Sequence, residues 1–225
     1  MEPNRGEGME PEFVHRLLHG FNLDDPLELM NAAHLCVGIG FALRGKSEHS
    51  KLLISQFVHG IDAKGRRFIR FSPHFFKNHG KGLNDTHRQE PRILYQVDEF
   101  DRYDPYNIIT AYLNKMPKGY DGRFYLRPNT SKTSHQAKDG SGAAWYNPKL
   151  VVGHNEIGKI LKKQCAKLGV PVPPGGLGKW VPHGMRRTAV SNGTDGGVNG
   201  NTLQVTQLSS LIQTSLSYIL QNYVG

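Results

Sequence analysis

Cysteine is scarce in this sequence, and that scarcity excludes several classes of protein. Among its 225 residues there are two cysteines, Cys36 and Cys165, and they match no metal-binding spacing. Both lie in apolar stretches with helical spacing, where a cysteine is most often a small core residue. The sequence therefore predicts no disulfide framework, and a cysteine-poor chain is typical of a reducing compartment.

Long hydrophobic runs are missing as well. The longest apolar stretch, residues 27–43, is interrupted by Glu28, Asn31 and His34 and is too short to cross a bilayer. There is no apolar run at the N-terminus and no repeat of fixed period. We therefore expect no membrane span and no repeat architecture.

Metal and nucleotide motifs are weak. The 11 histidines include His79 and His87, which together with Asn78 loosely resemble an HNH nuclease, but no cluster of acids or histidines accompanies them. The glycine-rich segment 175–178 follows prolines rather than a strand, so it does not fit a dinucleotide-binding loop. The sequence thus predicts neither a metal nor an organic cofactor.

Positive charge is what the sequence has in excess. It contains 28 Lys and Arg against 19 Asp and Glu, a formal net charge of +9. An excess of this size favours a polyanionic partner such as nucleic acid. Basic enzymes without such a partner are common, so the charge favours a nucleic-acid partner but does not establish one.

Helix signals are spread along the chain. Asp25 and Pro26 form a typical helix start, and this helix is predicted to run to about Leu43 and to end at Arg44-Gly45. Asp104-Pro105 predicts a second start, with Pro117 ending the helix. Further helices are predicted at residues 13–21, at 155–168 with Gly169 as the stop, at 183–190, and within 203–223.

Strand signals cluster in the first half of the chain. Residues 52–61 and 67–71 are β-like and flank a predicted hairpin turn at residues 62–65. A third strand is predicted around Phe75, Phe76 and Lys77, and a short buried one at residues 124–126. The polar segments 78–92 and 129–144 are predicted loops. The predicted fold class is α+β, mainly helical, with a small antiparallel sheet. One domain is expected over residues 24–225, preceded by a disordered or short helical extension, residues 1–23.

Three short motifs carry the residues of chemical interest. Leu43-Arg44-Gly45 follows an apolar helix, with Glu48-His49 just after it. His183 and Arg186 stand three apart near a predicted helix start, so they share a face. Tyr218 lies on or after a late helix. Each motif alone has an ordinary structural explanation: a surface arginine, a helix cap, or a core aromatic.

Taken together, these motifs resemble the tyrosine recombinase, or phage-integrase-like, catalytic domain. The similarity is greatest to the eukaryotic branch, the Crypton-type recombinases and the related C-terminal domain of zinc-finger MYM-type proteins. It rests on Leu43-Arg44-Gly45 with Glu48-His49, and on His183-x-x-Arg186 followed by Arg187-Thr188. Residues 104–112 and 124–128 are similar too, so the resemblance spans about residues 24–221.

The resemblance implies an integrase-like DNA breaking-rejoining core and a metal-free reaction. Arg44 and Arg186 would clamp the phosphate oxygens, since two guanidinium forks suit that geometry. Tyr218 would be the nucleophile, forming a 3′-phosphotyrosine that conserves the bond energy for rejoining. His183 would act as acid, base or hydrogen-bond donor.

A lysine is also implied, as the group that protonates the leaving 5′ oxygen. Lys77 stands where this branch carries its strand lysine, and Lys64, at the predicted hairpin tip, is the rival. Glu48 is expected to support Arg44. Tyr223 is the fallback nucleophile, and its place near the terminus makes it the weaker candidate.

One position departs from the family pattern. The residue nine before the tyrosine, usually a His or Trp, is Ser209 here. A serine can donate one hydrogen bond but cannot titrate like an imidazole. This leaves two hypotheses: an active DNA strand transferase, or a lapsed recombinase fold kept as a DNA- or protein-binding module.

The resemblance also implies partners and a location. We expect double-stranded DNA as the partner, a dimer or tetramer of the chain on DNA, and a nuclear location. Under either hypothesis DNA binding should weaken steeply with salt, because phosphate contacts release counterions.

Overall fold

The structure is a computed structural model, and it describes Met9, residues 11–43, 45–73, 91–129 and 145–169, and Met185. Within these residues it combines helices with two small antiparallel sheets. The α+β class predicted from the sequence is therefore confirmed. The predicted elements at residues 75–77 and 203–223 lie outside the described residues.

The helices lie before, between and after the strands. They are α1 (Pro11–His19), α2 (Pro26–Gly40), α3 (Gly45–His49), α4 (Pro105–Asn114), α5 (His154–Ile157) and α6 (Ile160–Lys167). Of the helices in the described part of the chain, none is long and apolar enough to span a membrane.

The two longest helices begin as the sequence predicts. The side chain of Asp25 accepts a hydrogen bond from the Glu28 backbone N–H at 2.9 Å, and Pro26 occupies the first turn of α2. Asp104 accepts from the Tyr106 N–H at 2.8 Å and so caps α4. In each case a carboxylate satisfies N–H groups that have no partner inside the helix.

The larger sheet has three antiparallel strands in the order β1 (Phe57–Ile61), β2 (Arg67–Phe71) and β3 (Arg92–Tyr95). The turn between β1 and β2 is the predicted one, with Gly65 at φ +78° and its N–H bonded to the Asp62 carbonyl at 2.9 Å. A two-stranded sheet pairs β4 (Leu126–Pro128) with β5 (Tyr146–Val151).

Helix α2 is the centre of the hydrophobic core. From Leu29 to Gly40 every residue except Asn31 is buried, and α2 packs against α4, α6 and β4. Phe41, just past its end, contacts the rings of Phe57 and Phe71 in the larger sheet, with centroids 5.7 and 5.2 Å apart. Because α2 is central, both of its ends are fixed by surrounding elements.

The third strand of the described sheet was not predicted, and the strand predicted at residues 75–77 stays untested. The described third strand is β3, which begins at Arg92, a residue assigned to the end of a loop by its polar surroundings. Helix α1 also starts earlier than predicted, at Pro11 rather than Phe13, and its Leu17 is fully buried in the common core.

The helix predicted at residues 155–168 is interrupted. It forms α5, capped at Gly153 rather than Asn155, and then α6, with a break at Gly158 and Lys159. Glycine is a poor helix former. At Gly158 it also leaves room for Lys46, whose Cδ would lie 3.0 Å from an added Cβ.

Candidate functional site

The predicted catalytic residues Arg44, Lys77, His183, Arg186 and Tyr218 all lie outside the described residues, as does Ser209. The surroundings of two of the motifs are described, however. Leu43 and Gly45 stand on either side of Arg44, and Met185 stands directly before Arg186. These three neighbours are the described parts of the two motifs.

The segment from Phe41 to Gly45, here called the arginine turn, closes the C-terminal end of α2. The Leu43 N–H bonds to the Gly38 carbonyl at 3.0 Å, and the Ala42 N–H to the Ile39 carbonyl at 3.1 Å. This pair of bonds is the Schellman arrangement that satisfies the last carbonyls of a helix.

The backbone of the arginine turn is strained. Ala42 has φ +47°, and among the described residues it is the one non-glycine with a positive φ. Gly45, with φ +57°, starts α3. A left-handed alanine costs of the order of 1 kcal/mol, and such strain is concentrated at functional sites.

A distant arginine holds this turn in place. The Arg92 guanidinium, on β3, donates from Nη1 to the carbonyl oxygens of Phe41 and Ala42, the second at 3.3 Å. Charge-assisted bonds to these two carbonyls, which directly follow α2, stabilise the unusual conformation. The first strand position after the polar segment 78–91 therefore anchors the backbone that carries Arg44.

Met185 brings the second motif to the same end of α2. Its side chain is completely buried, and a Cβ added to Gly38 would lie 2.6 Å from its Sδ. Gly38 is also the residue whose carbonyl receives the Leu43 N–H. Two residues therefore contact Gly38. Met185, directly before Arg186, packs on the side where Gly38 has no side chain, and Leu43, directly before Arg44, bonds to its carbonyl.

Two buried histidines lie beneath this junction. The His34 and His49 rings are in contact, tilted by 41° with their centroids 4.4 Å apart, and His49 Nδ1 is hydrogen-bonded to the Tyr125 hydroxyl at 2.8 Å. Among the described residues, both ring nitrogens of His34 and Nε2 of His49 have no hydrogen-bond partner. The Cε1 of His49 would lie 3.3 Å from a Cβ on Gly38, so this cluster adjoins Met185.

Burial keeps both imidazoles uncharged. Desolvation lowers the pKa of His34 to about 3. The same effect, with a smaller contribution from His34, puts the pKa of His49 well below its ordinary value. The pair therefore acts as a neutral packing and hydrogen-bonding unit at neutral pH.

Sequence reasoning included His49 in a motif without giving it a role, and it noted His34 only as a polar interruption. A histidine inside an otherwise apolar helical run was the available signal for the buried pair. Nothing in the sequence indicated that Tyr125, 76 residues from His49, would be its partner.

The rival lysine, Lys64, lies in the exposed turn between β1 and β2. The turn is ordered by Asp62, which accepts from the Lys64 and Arg66 N–H groups at 2.9 and 3.0 Å. The hydrogen bond from the Arg66 backbone is the main reason that the pKa of Asp62 is lowered. The Phe57 end of the hairpin contacts the arginine turn. Lys64 lies at the opposite end, separated from that contact by the length of β1, about 13 Å.

A cavity of about 720 Å³ lies at the opposite end of α2. Its polar lining includes Asp25, Asn31, Arg127, Glu156 and Lys163. Helix α2 has 15 residues and is therefore about 22 Å long. This cavity is accordingly separate from the arginine turn.

Comparisons with known proteins give no family for this chain: no protein-family model matches it, and no curated protein does. Within the described part of the chain, there is also no group of three or more histidine, cysteine or acidic residues placed to hold a metal ion.

Proposed function

We propose that this protein binds double-stranded DNA and cuts and rejoins its strands as a tyrosine recombinase, through a 3′-phosphotyrosine intermediate. The observation that carries the proposal is the meeting at Gly38. Arg44 and Arg186 are 142 residues apart in sequence, and the residue before each of them contacts the same glycine. The net charge of +9 suits a phosphate backbone.

The reaction would proceed by exchange at phosphorus. The Tyr218 oxygen attacks the scissile phosphate, the P–O5′ bond breaks, and a P–O bond to tyrosine forms. His183 takes the phenolic proton, and Lys77 supplies a proton to the departing 5′ oxygen. Arg44 and Arg186 neutralise the charge on the non-bridging oxygens. The 5′ hydroxyl of a partner strand reverses these steps and restores the tyrosine.

The described geometry favours Lys77 over Lys64 as the general acid. Phe71 ends β2 beside the arginine turn, and Lys77 follows it by six residues. Lys64 stands at the other end of the hairpin. We also propose an integrase-like core, assembly as a dimer or tetramer on DNA, and a nuclear location, all by resemblance.

The proposal is tested with a suicide duplex, in which a nick beside the cleavage site releases a short fragment and traps the intermediate. The wild-type protein should give a covalent protein–DNA adduct after denaturation. Tyr218→Phe should abolish the adduct and keep DNA affinity within about twofold, since it removes one hydroxyl. Tyr223→Phe is the matched control and should form the adduct normally.

A second function, a DNA-binding module without catalysis, is favoured by Ser209. The family usually has a His or Trp at this position, and a serine cannot titrate like an imidazole. This alternative predicts salt-dependent DNA binding with no adduct from either tyrosine. DNA affinity independent of salt concentration between 50 and 200 mM would contradict both functions.

A further inference from the structure

We propose that His49 is a positioning residue for the DNA site: while its imidazole is neutral it ties α3 to Tyr125, and mild acid favours the release of α3. This inference rests on the proposed function for its effect on DNA. Its structural part concerns α3 alone and can be measured without DNA.

Helix α3 depends on His49 for its attachment. It has five residues, Gly45–His49, and His49 is the residue of α3 that is buried. A helix this short is not stable alone, so its position is set by what its side chains contact. The bond from His49 Nδ1 to the Tyr125 hydroxyl, at 2.8 Å, joins α3 to the buried segment before β4.

The His49 ring also contacts residues near the C-terminal end of α2. It contacts the His34 ring of α2 and approaches the side of Gly38 that has no side chain, where the Met185 thioether lies. Gly45, the first residue of α3, directly follows Arg44 in the chain. Movement of α3 therefore moves the residue that directly follows Arg44 in the chain.

A protonated His49 would have one N–H group without a hydrogen-bond acceptor among the described residues. A neutral imidazole uses one N–H, whereas an imidazolium needs acceptors for two. Its Nε2 has no partner among the described residues. Burying a charge without a partner costs several kcal/mol, so exposure of the ring becomes favourable once it is protonated.

Among the residues that the structure describes, the groups facing His49 do not compensate for that charge. Helix α2 contributes His34 and the buried segment contributes Tyr125; burial raises the pKa of Tyr125 and of Cys36, which interacts with Tyr125, so both stay neutral. Tyr112, from α4, is also buried and neutral for the same reason. At the surface, His154 of α5 lies 3.4 Å from Ser50 Oγ, beyond the end of α3.

Lys46 and Glu48 complete the charged groups of α3 itself. The positive charge of Lys46 would repel an imidazolium at position 49. Glu48 is partly buried elsewhere on this short helix. The carboxylate of Glu156, on α5, already pairs with Lys159 and Lys163. The balance of these charges leaves an imidazolium at position 49 unfavourable.

The release of α3 is measured by hydrogen exchange in the free protein. The reporters are the Ser50, Lys51 and Leu52 amides, which donate to carbonyls of α3 at 3.0 to 3.2 Å. After correction for intrinsic exchange, we expect their protection to fall by as much as about tenfold between pH 7.5 and pH 5.5, the limit for one imidazole whose pKa is about 6.5 once it is exposed. The amides of α4 should keep theirs.

The decisive variant is the double substitution His49→Leu with Tyr125→Phe. It replaces both hydrogen-bonding partners with apolar groups of similar size, which is often close to neutral for folding. Protection of the reporter amides should then be the same at both pH values. Tyr125→Phe alone leaves Nδ1 without its partner and should lower protection already at pH 7.5. The control His59→Asn removes an exposed histidine bonded to Thr110 and should keep the wild-type pH profile.

The expected change in DNA affinity is opposite to the change that added positive charge alone would cause. Protonating exposed histidines adds positive charge and strengthens phosphate binding. We expect the wild-type affinity instead to fall from pH 7.5 to pH 5.5, by no more than about tenfold, a loss absent from the double variant.

The two proposals fail in different ways. Reporter protection that is unchanged at pH 5.5, or acid loss that persists in the double variant, overturns the role of His49. Absence of DNA binding at pH 7.5, with the exchange pattern as expected, instead overturns the DNA function and leaves the acid release of α3 established.

Discussion

The two ends of helix α2 are built in different ways. The N-terminal end is local: Asp25 caps it, Pro26 begins it, and the cap bond reaches Glu28, three residues away. The C-terminal end is assembled from distant parts of the chain, with Arg92 bonded to its last carbonyls and Met185 packed on Gly38. A helix end that recruits distant groups to hold a strained turn has a task beyond ending the helix.

The largest expected effect is a loss of folding stability in acid. His34 and His49 are neutral when folded and bind protons when unfolded, so the unfolded chain gains protons below its imidazole pKa of about 6.5. Stability should therefore fall as pH drops through that value and continue falling toward the folded pKa. Two such groups predict a loss of about 3–4 kcal/mol between pH 7 and pH 5, measured by denaturant unfolding.

His34→Leu sharpens this prediction. It should be neutral or stabilising at pH 7, because it removes two buried nitrogens without partners among the described residues. It should also remove about half of the acid loss. An unchanged pH slope in this variant would mean that His34 is not buried as described.

Arg92 is the next test of the C-terminal end. Arg92→Ala removes the donor to Phe41 and Ala42 and should lower the free energy of unfolding by about 2–3 kcal/mol. Arg70→Ala, which removes an exposed arginine from the neighbouring strand, should change it by no more than about 0.5 kcal/mol. Equal losses would show that the contact with the arginine turn contributes nothing special.

The two glycines near the end of α2 give a smaller contrast. Gly38→Ala places a methyl group 2.6 Å from the Met185 sulfur, and we expect it to destabilise the protein by about 1–2 kcal/mol through overpacking. Gly40→Ala meets Leu94 at 3.3 Å, a contact that a small shift relieves. Thermal unfolding should therefore separate the two variants, and a reversed order would exclude the packing of Met185 on Gly38.

The smallest effect concerns the strained alanine. Ala42→Gly should stabilise the protein by up to about 1 kcal/mol, because glycine adopts a positive φ without penalty. The matched change at an exposed helical position, Ala111→Gly in α4, should destabilise by about 1 kcal/mol. Losses of similar size at both positions would contradict a left-handed Ala42.

This contrast also explains which parts of the structure the sequence could predict. Asp25-Pro26, Asp104-Pro105 and the turn at 62–65 were predicted correctly because their hydrogen bonds close within a few residues. The cap of the arginine turn could not be predicted, since its donor, Arg92, is about fifty residues away and reads as part of a polar loop.

The candidate site divides in the same way. Arg44 and the His183-x-x-Arg186 motif were identified by residue type and order, and their roles stay predictions. The meeting of their neighbours at Gly38 and the bond between His49 and Tyr125 depend on packing between segments that sequence spacing does not encode.

The strand assignments show why short elements are harder. β5 was not predicted, because four of its six residues are exposed and alternate poorly between apolar and polar. It is a strand because it pairs with β4, where Leu126 lies opposite Val151. Tertiary pairing, rather than local preference, decides such segments.

The central claim is that Arg44 and Arg186 act on one phosphate, and a double-mutant cycle on adduct formation tests it most directly. Arg44→Ala and Arg186→Ala should each slow single-turnover adduct formation at least a hundredfold, and the double variant should lose much less than the product of the two. Losses that multiply independently, or normal adduct formation in either single variant, would contradict a shared phosphate clamp.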